Sequence, residues 1–414
     1  METELVAIPD DALADACRRG ASPPHVNDSI DSWSVMDHCN GLILCDIEWR
    51  SRLCVCNPAT QRWTLLPLRT EVGLLGYAGA HFMFDPAVSP HYEVVLIPAV
   101  PKKPLRADQW KVKKKKKRRG PLPRQHETFQ PAMESAALTL PYVDEDEDED
   151  KEPDDPHRLM EWPPSTWQLN VFSSRTGQWE VRSFIREGES VGTVEDMRLD
   201  KVWGMRRLCT VYQNGALYVH CRGSFIMRLS LSSDKYQVIN TPANIRNVKP
   251  YLGRLEKEVC FGIVHECQLQ VWTLKESYGK MEWALRYQDD LSCYAHFLAS
   301  LYNNGRWKVG PWILKERNIS VHNSNHTAET LSEEGFEWDS DNDDIISVTA
   351  GVVFLPRPFA VVAYHMNTSK AQYLGNSRPY CYYHNYSNGI YESFVYTPCM
   401  TGELQEDNID RNAS

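Results

Sequence analysis

Short apolar runs bounded by Gly, Pro, Asn, Asp or Ser follow one another along most of the chain. "GLILCDI", "RLCVCNP", "RWTLLP" and "YEVVLIP" come first, and "WQLNVFS", "WEVRSFI", "ALYVHC", "FIMRLSL" and "YQVINTP" follow in the middle. "EVCFGIVHE", "LQVWTL", "MEWALRY", "ISVTAGVVFL", "FAVVAYHM" and "AQYLG" close the series. Runs of this length with turn residues at both ends read as antiparallel strands. Long helical periodicity is nearly absent, so the pattern predicts an all-β chain.

The turns repeat. "VCNPATQRWTLL" at 55–66 sets a strand, a polar turn and an aromatic-led strand in order, and "VFSSRTGQWEVR" at 171–182 does the same. "RLSLSSDKYQVI" at 228–239, "VWTLKESYGKMEWAL" at 271–285 and "AYHMNTSKAQYL" at 363–374 continue the series. A Gly-led turn feeding an apolar strand also recurs, as "CNGLILC" at 39–45 and "QNGALYVHC" at 213–221. Hairpins whose faces need a neighbour on each side are what a β-propeller stacks radially. The spacing predicts a kelch-like propeller of six or seven blades, with one unread blade around 300–340. A β-sandwich with chance similarity among its turns is the alternative.

Residues 101–160 interrupt the pattern. They hold "KVKKKKKRR" at 111–119 and "DEDEDED" at 144–150, with many prolines and few large apolar residues. Such a segment cannot bury enough surface to offset its ordering entropy, so it is expected to be a long disordered insertion between two strands of the domain. Closure entropy grows slowly enough with length for a fold to tolerate it. Residues 401–414 read as a flexible tail.

Composition sharpens this picture in three places. Thirteen tryptophans and nineteen tyrosines suit half-buried pleated surfaces. The net charge of −10 argues against general nucleic-acid binding. The basic run Lys113, Lys114, Lys115, Lys116, Lys117, Arg118 and Arg119 is a candidate nuclear import signal, or a solvated charge run with no interleaved aromatic residue. With no opening signal-peptide pattern and no long apolar stretch, the twelve cysteines read as reduced thiols of a cytoplasmic or nuclear protein without membrane contact.

Candidate chemistry is sparse. "GESVG" at 188–192 fits a nucleophile elbow around Ser190, but its charged flanks lack the buried strand and following helix that an elbow needs. Cys54 and Cys56, like His265 and Cys267, are two apart on a strand and read as packed side chains rather than metal ligands. "DSDNDD" at 339–344 opens like a calcium loop but has Asp344 at the required glycine and Ala350 at the closing glutamate. No catalytic, cofactor-binding or metal-ligating residue is assigned, and no cofactor is expected.

Several of these stretches together resemble plant F-box proteins that carry an F-box-associated β-propeller domain, with the cereal branch the nearest likeness. The resemblance covers most of 33–400 and rests on "HCNGLILCD", "LCVCNPATQRWTLLP", "NVFSSRTGQWE" and "GALYVHCRGSFIMRLSLSSDKYQVI". Its most specific element is Cys56, Asn57, Pro58, Thr60, Trp63, Leu66 and Pro67. Ile8, Pro9, Asp10, Asp11, Ala12 and Leu13 match the start of an F-box, which marks 1–22 as a remnant with only the first short helix. After Arg19 the chain passes through "GASPPHVNDSIDSW" directly to the propeller.

The resemblance implies a non-enzymatic recognition subunit of an SCF-type cullin–RING ubiquitin ligase. A protein substrate would meet the propeller loops, and a Skp-type adaptor would meet Ile8, Pro9 and Leu13. One short helix leaves most of a stable interface unformed, since about 1,200 Å² or more is usual, so adaptor binding is expected to be weak or absent. A propeller-type hydrolase with its site at the channel mouth, or a degenerate product without ligase function, are the competing readings.

Overall fold

The structure is a computed structural model. It describes residues 33–47, 52–68, 77–103, 155–199, 210–221, 223–243, 248–277, 280–292, 294, 313–314, 345–357, 360–375 and 398–399. Ile8, Pro9 and Leu13, the basic run 113–119, the calcium-loop look-alike at 339–344 and the tail 401–414 lie outside the described residues.

The sheets grow from four-stranded meanders. The first is β1 (Trp33–Cys39), β2 (Leu42–Ile47), β3 (Arg52–Asn57) and β4 (Arg62–Leu65), each antiparallel to the next. The second is β5 (Tyr77–Met83), β6 (Glu93–Pro98), β8 (Thr166–Ser173) and β9 (Gln178–Glu187). The third is β11 (Thr210–Gln213), β12 (Ala216–His220), β13 (Phe225–Ser230) and β14 (Lys235–Asn240). The fourth is β15 (Tyr251–Leu255), β16 (Glu258–His265), β17 (Gln268–Ser277) and β18 (Lys280–Asp290). The fifth is β20 (Ser347–Thr349), β21 (Val352–Arg357), β22 (Ala360–His365) and β23 (Lys370–Gly375), with β19 (Ile313–Leu314) added outside β23. β7 (Glu161–Trp162) pairs with β10 (Gly192–Thr193) beside the one short helix, α1 (Val194–Arg198).

All five hairpins read from the sequence are the third and fourth strands of these five meanders, β3–β4, β8–β9, β13–β14, β17–β18 and β22–β23. The Gly-led turns are first-to-second connections. Asn40 and Gly41 both have positive φ (46° and 86°), as do Asn214 and Gly215 (51° and 73°), the backbone that a two-residue hairpin turn demands.

Successive sheets pack face to face in chain order. Leu42, Leu44 and Val55 of the first sheet pack with Phe82, Val94 and Phe172 of the second. The second meets the third through Val95, Leu169 and Phe184 against Leu217, Met227 and Tyr236. The third meets the fourth through Ile226 and Ile239 against Phe261 and Trp272. The fourth meets the fifth through Leu269 and Val271 against Val353 and Val362. The fold is therefore all-β and propeller-like. The fourth and fifth sheets pack directly on each other; the blade expected around 300–340 lies outside the described residues, apart from β19.

The first strands lie side by side at the centre and run the same way. Phe82 N donates to Asp37 Oδ2 (2.7 Å), and two residues further along both strands Cys39 Sγ donates to Phe84 O (3.1 Å). Gln213 reaches Lys257 O at the ends of β11 and β15, and Val348 N donates to Tyr251 Oη (3.3 Å) at the starts of β20 and β15. Sheets 2 and 3 are also joined at their outer edges. There β9 and β14 run parallel through Ile185–Glu187 and Lys235–Gln237, and the two meanders become one eight-stranded sheet.

Candidate functional site

Alternating strand direction sorts the connections. Because the first strands run together, every first-to-second and third-to-fourth turn falls at one end of the molecule. These turns are short: 40–41, 58–61, 84–92, 174–177, 214–215, 231–234, 256–257, 278–279, 350–351 and 366–369. At the other end the strands lead into 48–51, 66–76, 99–165, 188–209, 221–224, 241–250, 266–267, 291–346 and 358–359. The chain thus leaves and re-enters the sheets for its longest connections at one end.

The charged insertion belongs to that end. β6 and β8 are direct antiparallel neighbours, Val94 opposite Phe172 and Val95 opposite Val171, with the whole of 99–165 between them. Its two flanks are held by one side chain. Arg198 Nε donates to Pro101 O (2.7 Å), and another guanidinium nitrogen pairs with Asp155. Residues 155–160, expected within the insertion, form hydrogen-bonded turns. Arg158 N donates to Asp155 O (3.1 Å) and Met160 N to His157 O (3.1 Å). Val194 N and Glu195 N then donate to Met160 O and Arg158 O, docking the start of α1 on this turn. Thr193 and Asp196 cap that helix reciprocally. The turn displays Leu159 (77% exposed) and Met160 (45%), and Leu199 (75%) follows the helix.

The axis offers little reactive chemistry. Asp37 is spent on two backbone amides, those of Phe82 and His38. His81 is wholly buried on β5, neither ring nitrogen has a partner, and burial pushes its pKa down to about 3. Tyr212 is raised, first by burial and then by Glu93, Asp85 and Cys39. Burial takes the Cys39 thiol up to about 12. Among the described residues no three His, Cys, Asp or Glu side chains are placed to hold a metal ion.

The remaining candidates resolve locally. Cys54 and Cys56 face the same way as read, 3.6 Å apart at sulfur, buried with Val35, Ile43 and Cys45. His265 and Cys267 do not share that geometry. Glu266 and Cys267 form the β16–β17 turn with φ of 48° and 66°, so Cys267 turns inward while His265 stays half exposed at the strand end. Ser190 follows the exposed outer strand β9 rather than a buried one, which removes the elbow's support.

Two polar centres act as clasps, Asn57 of the motif read from the sequence and Asp289, which the sequence reading passed over. Asn57 Oδ1 accepts from Ala59 N (3.1 Å), and its Nδ2 donates to Cys399 O (3.0 Å), tying the far end of the chain to sheet 1. The conspicuous "CNPAT" spelling was its signal. Asp289 Oδ2 accepts from Tyr287, Tyr364 and Ser369 (2.8 Å for the serine), which joins sheets 4 and 5. Burial works to raise its carboxyl, but the three hydroxyls and the Asp290 amide outweigh it and hold the pKa below the ordinary range. With that many donors it is a structural carboxylate, not a free base.

The fold and these clasps define the class: a propeller-like all-β scaffold with one end of long connections. No protein-family model matches the chain. No curated protein matches it at a significant level either.

Proposed function

We propose that this chain is a non-enzymatic protein-recognition module, the substrate-recruiting subunit of an SCF-type cullin–RING ubiquitin ligase. What carries the reading is the Cys56–Pro67 element, quoted above for its family resemblance. In it Asn57 both shapes the β3–β4 turn and anchors Cys399. A rigid frame with its long connections gathered at one end suits a protein substrate met through loops. Adaptor contact falls to Ile8, Pro9 and Leu13, and a single short helix leaves it weak or absent.

The test is a pull-down of purified adaptor with the full chain, and of adaptor and cullin with the tagged chain from its native tissue. The expected result is sub-stoichiometric adaptor that washes off readily. Tight, stoichiometric adaptor lost on Leu13→Asp would overturn the weak-binding expectation. Hydrolytic activity that depends on channel-mouth side chains would overturn the recognition reading itself.

A further inference from the structure

Sheet 1 carries three thiols on one face. Cys45 of β2 stands directly opposite Cys54 of β3, and Cys56 lies two residues further along β3, its sulfur 3.6 Å from that of Cys54. All three are buried with Val35 and Ile43, and Trp63 and Leu65 of β4 pack against them. The register gives each thiol its neighbours across the strands. Cys45 faces Val35 and Cys54, Cys54 faces Cys45 and Leu65, and Cys56 faces Ile43 and Trp63. Cys45 and Cys54 are thus the one pair of thiols set opposite each other among the described strands.

Geometry decides which sulfurs can join. Opposed residues of an antiparallel pair hold their Cα atoms about 4.5–5.5 Å apart, inside the range of roughly 4.4–6.8 Å that a disulfide spans. Residues two apart on one strand lie about 6.6 Å apart with their Cβ atoms similarly spaced, whereas a disulfide needs Cβ atoms about 3.5–4.5 Å apart. The Cys54–Cys56 contact therefore suits a thiol hydrogen bond, and the Cys45–Cys54 pair suits a covalent one. Burial keeps a thiol protonated and slow to react, and it takes Cys221 and Cys260 up to about 12. The trio differs from those two in having a second thiol beside the first, ready to resolve a sulfenic acid. Access runs past β4, a four-residue edge strand with every residue at least partly exposed, whose fraying admits an oxidant the size of water.

We infer that Cys45 and Cys54 are a redox-responsive modification site that closes a cross-strand disulfide when the chain meets hydrogen peroxide. Peroxide oxidises one thiol to a sulfenic acid and leaves as water. The second thiol then displaces the hydroxyl as another water, so two thiols and one peroxide give one disulfide and two waters. The bond joins β2 and β3 in the register they already hold, next to the Asn57 clasp on Cys399. The site stands apart from the recognition reading and holds or fails without it. The test adds peroxide stepwise to the full chain, caps the remaining thiols and maps bonds by tryptic mass spectrometry. Arg50 and Arg52 put Cys45 on one tryptic peptide and Cys54 with Cys56 on another, so the expected bond links two peptides and a Cys54–Cys56 bond stays inside one. Cys56→Ser should keep the linked pair. Oxidation should raise the urea midpoint by about 1 M, reversed by dithiothreitol, and Cys45→Ala should abolish both the link and the rise. A bond inside the Cys54 peptide, oxidation of Cys221 before the linked pair forms, or an undiminished rise in Cys45→Ala overturns the site. The mapping on the unaltered chain decides it even where a variant fails to fold.

Discussion

His81 and Asn57 are both fully buried polar side chains, and they behave oppositely. Asn57 spends its amide on a turn and on Cys399, whereas both nitrogens of His81 face apolar surroundings without a partner. Burial lowers the His81 pKa to about 3, so the native state refuses a proton that the unfolded chain accepts near pH 6.5. Stability is therefore intact above pH 6.5 and is lost as pH falls from there toward 3, by up to about 1.4 kcal/mol per pH unit. His81→Leu should flatten that decline and cost little at pH 7, since no hydrogen bond is lost. Urea unfolding of both proteins at pH 7, 6 and 5 measures the difference, and parallel declines would refute it. The sequence showed Asn57 through its motif. His81 was invisible because "GAHF" carries no periodic signal and its burial depends on strands far away in the chain.

At the scale of elements, the outer hairpins were legible and the innermost strands were not. β1, β5, β11 and β15 went unread, and β20 was merged with β21 because the Ala350–Gly351 turn hides inside "ISVTAGVVFL". The physical reason is crowding at the axis. Gly79, Ala78 and Ala80 keep β5 thin, and a Cβ on Gly253 of β15 would lie 1.9 Å from the Tyr251 hydroxyl. Strands chosen for close approach lack the β-branched alternation that marks strands in sequence. Between elements, Asp289 is the polar joint of sheets 4 and 5. Asp289→Ala removes the acceptor shared by the Tyr287, Tyr364 and Ser369 hydroxyls, and should cost about 1–3 kcal/mol in chemical denaturation. Asp289→Asn, which keeps an acceptor, should recover part of the loss; no loss in the alanine variant would dismiss the joint.

At the scale of the molecule, the frame and the insertion are separable. Arg198 already holds the two ends of the inserted segment together, and closure entropy depends only weakly on loop length. Replacing 104–153 by a short Gly–Ser linker should shift stability by no more than about 2 kcal/mol, toward greater stability. A larger loss in a denaturant titration would mean that the insertion supports the frame. What sequence could not supply at this scale was the join between β9 and β14. Parallel pairing of two outer strands arises from how neighbouring blades lean together, not from either strand's own pattern. That join gives the molecule a mechanical grain. Arg182 to Asp234 and Lys235 to Glu187 (2.7 Å) reinforce it, so under tension sheets 2 and 3 should peel away as one unit. A force-extension trace of the tethered chain would then show one double-sized release in place of two equal steps.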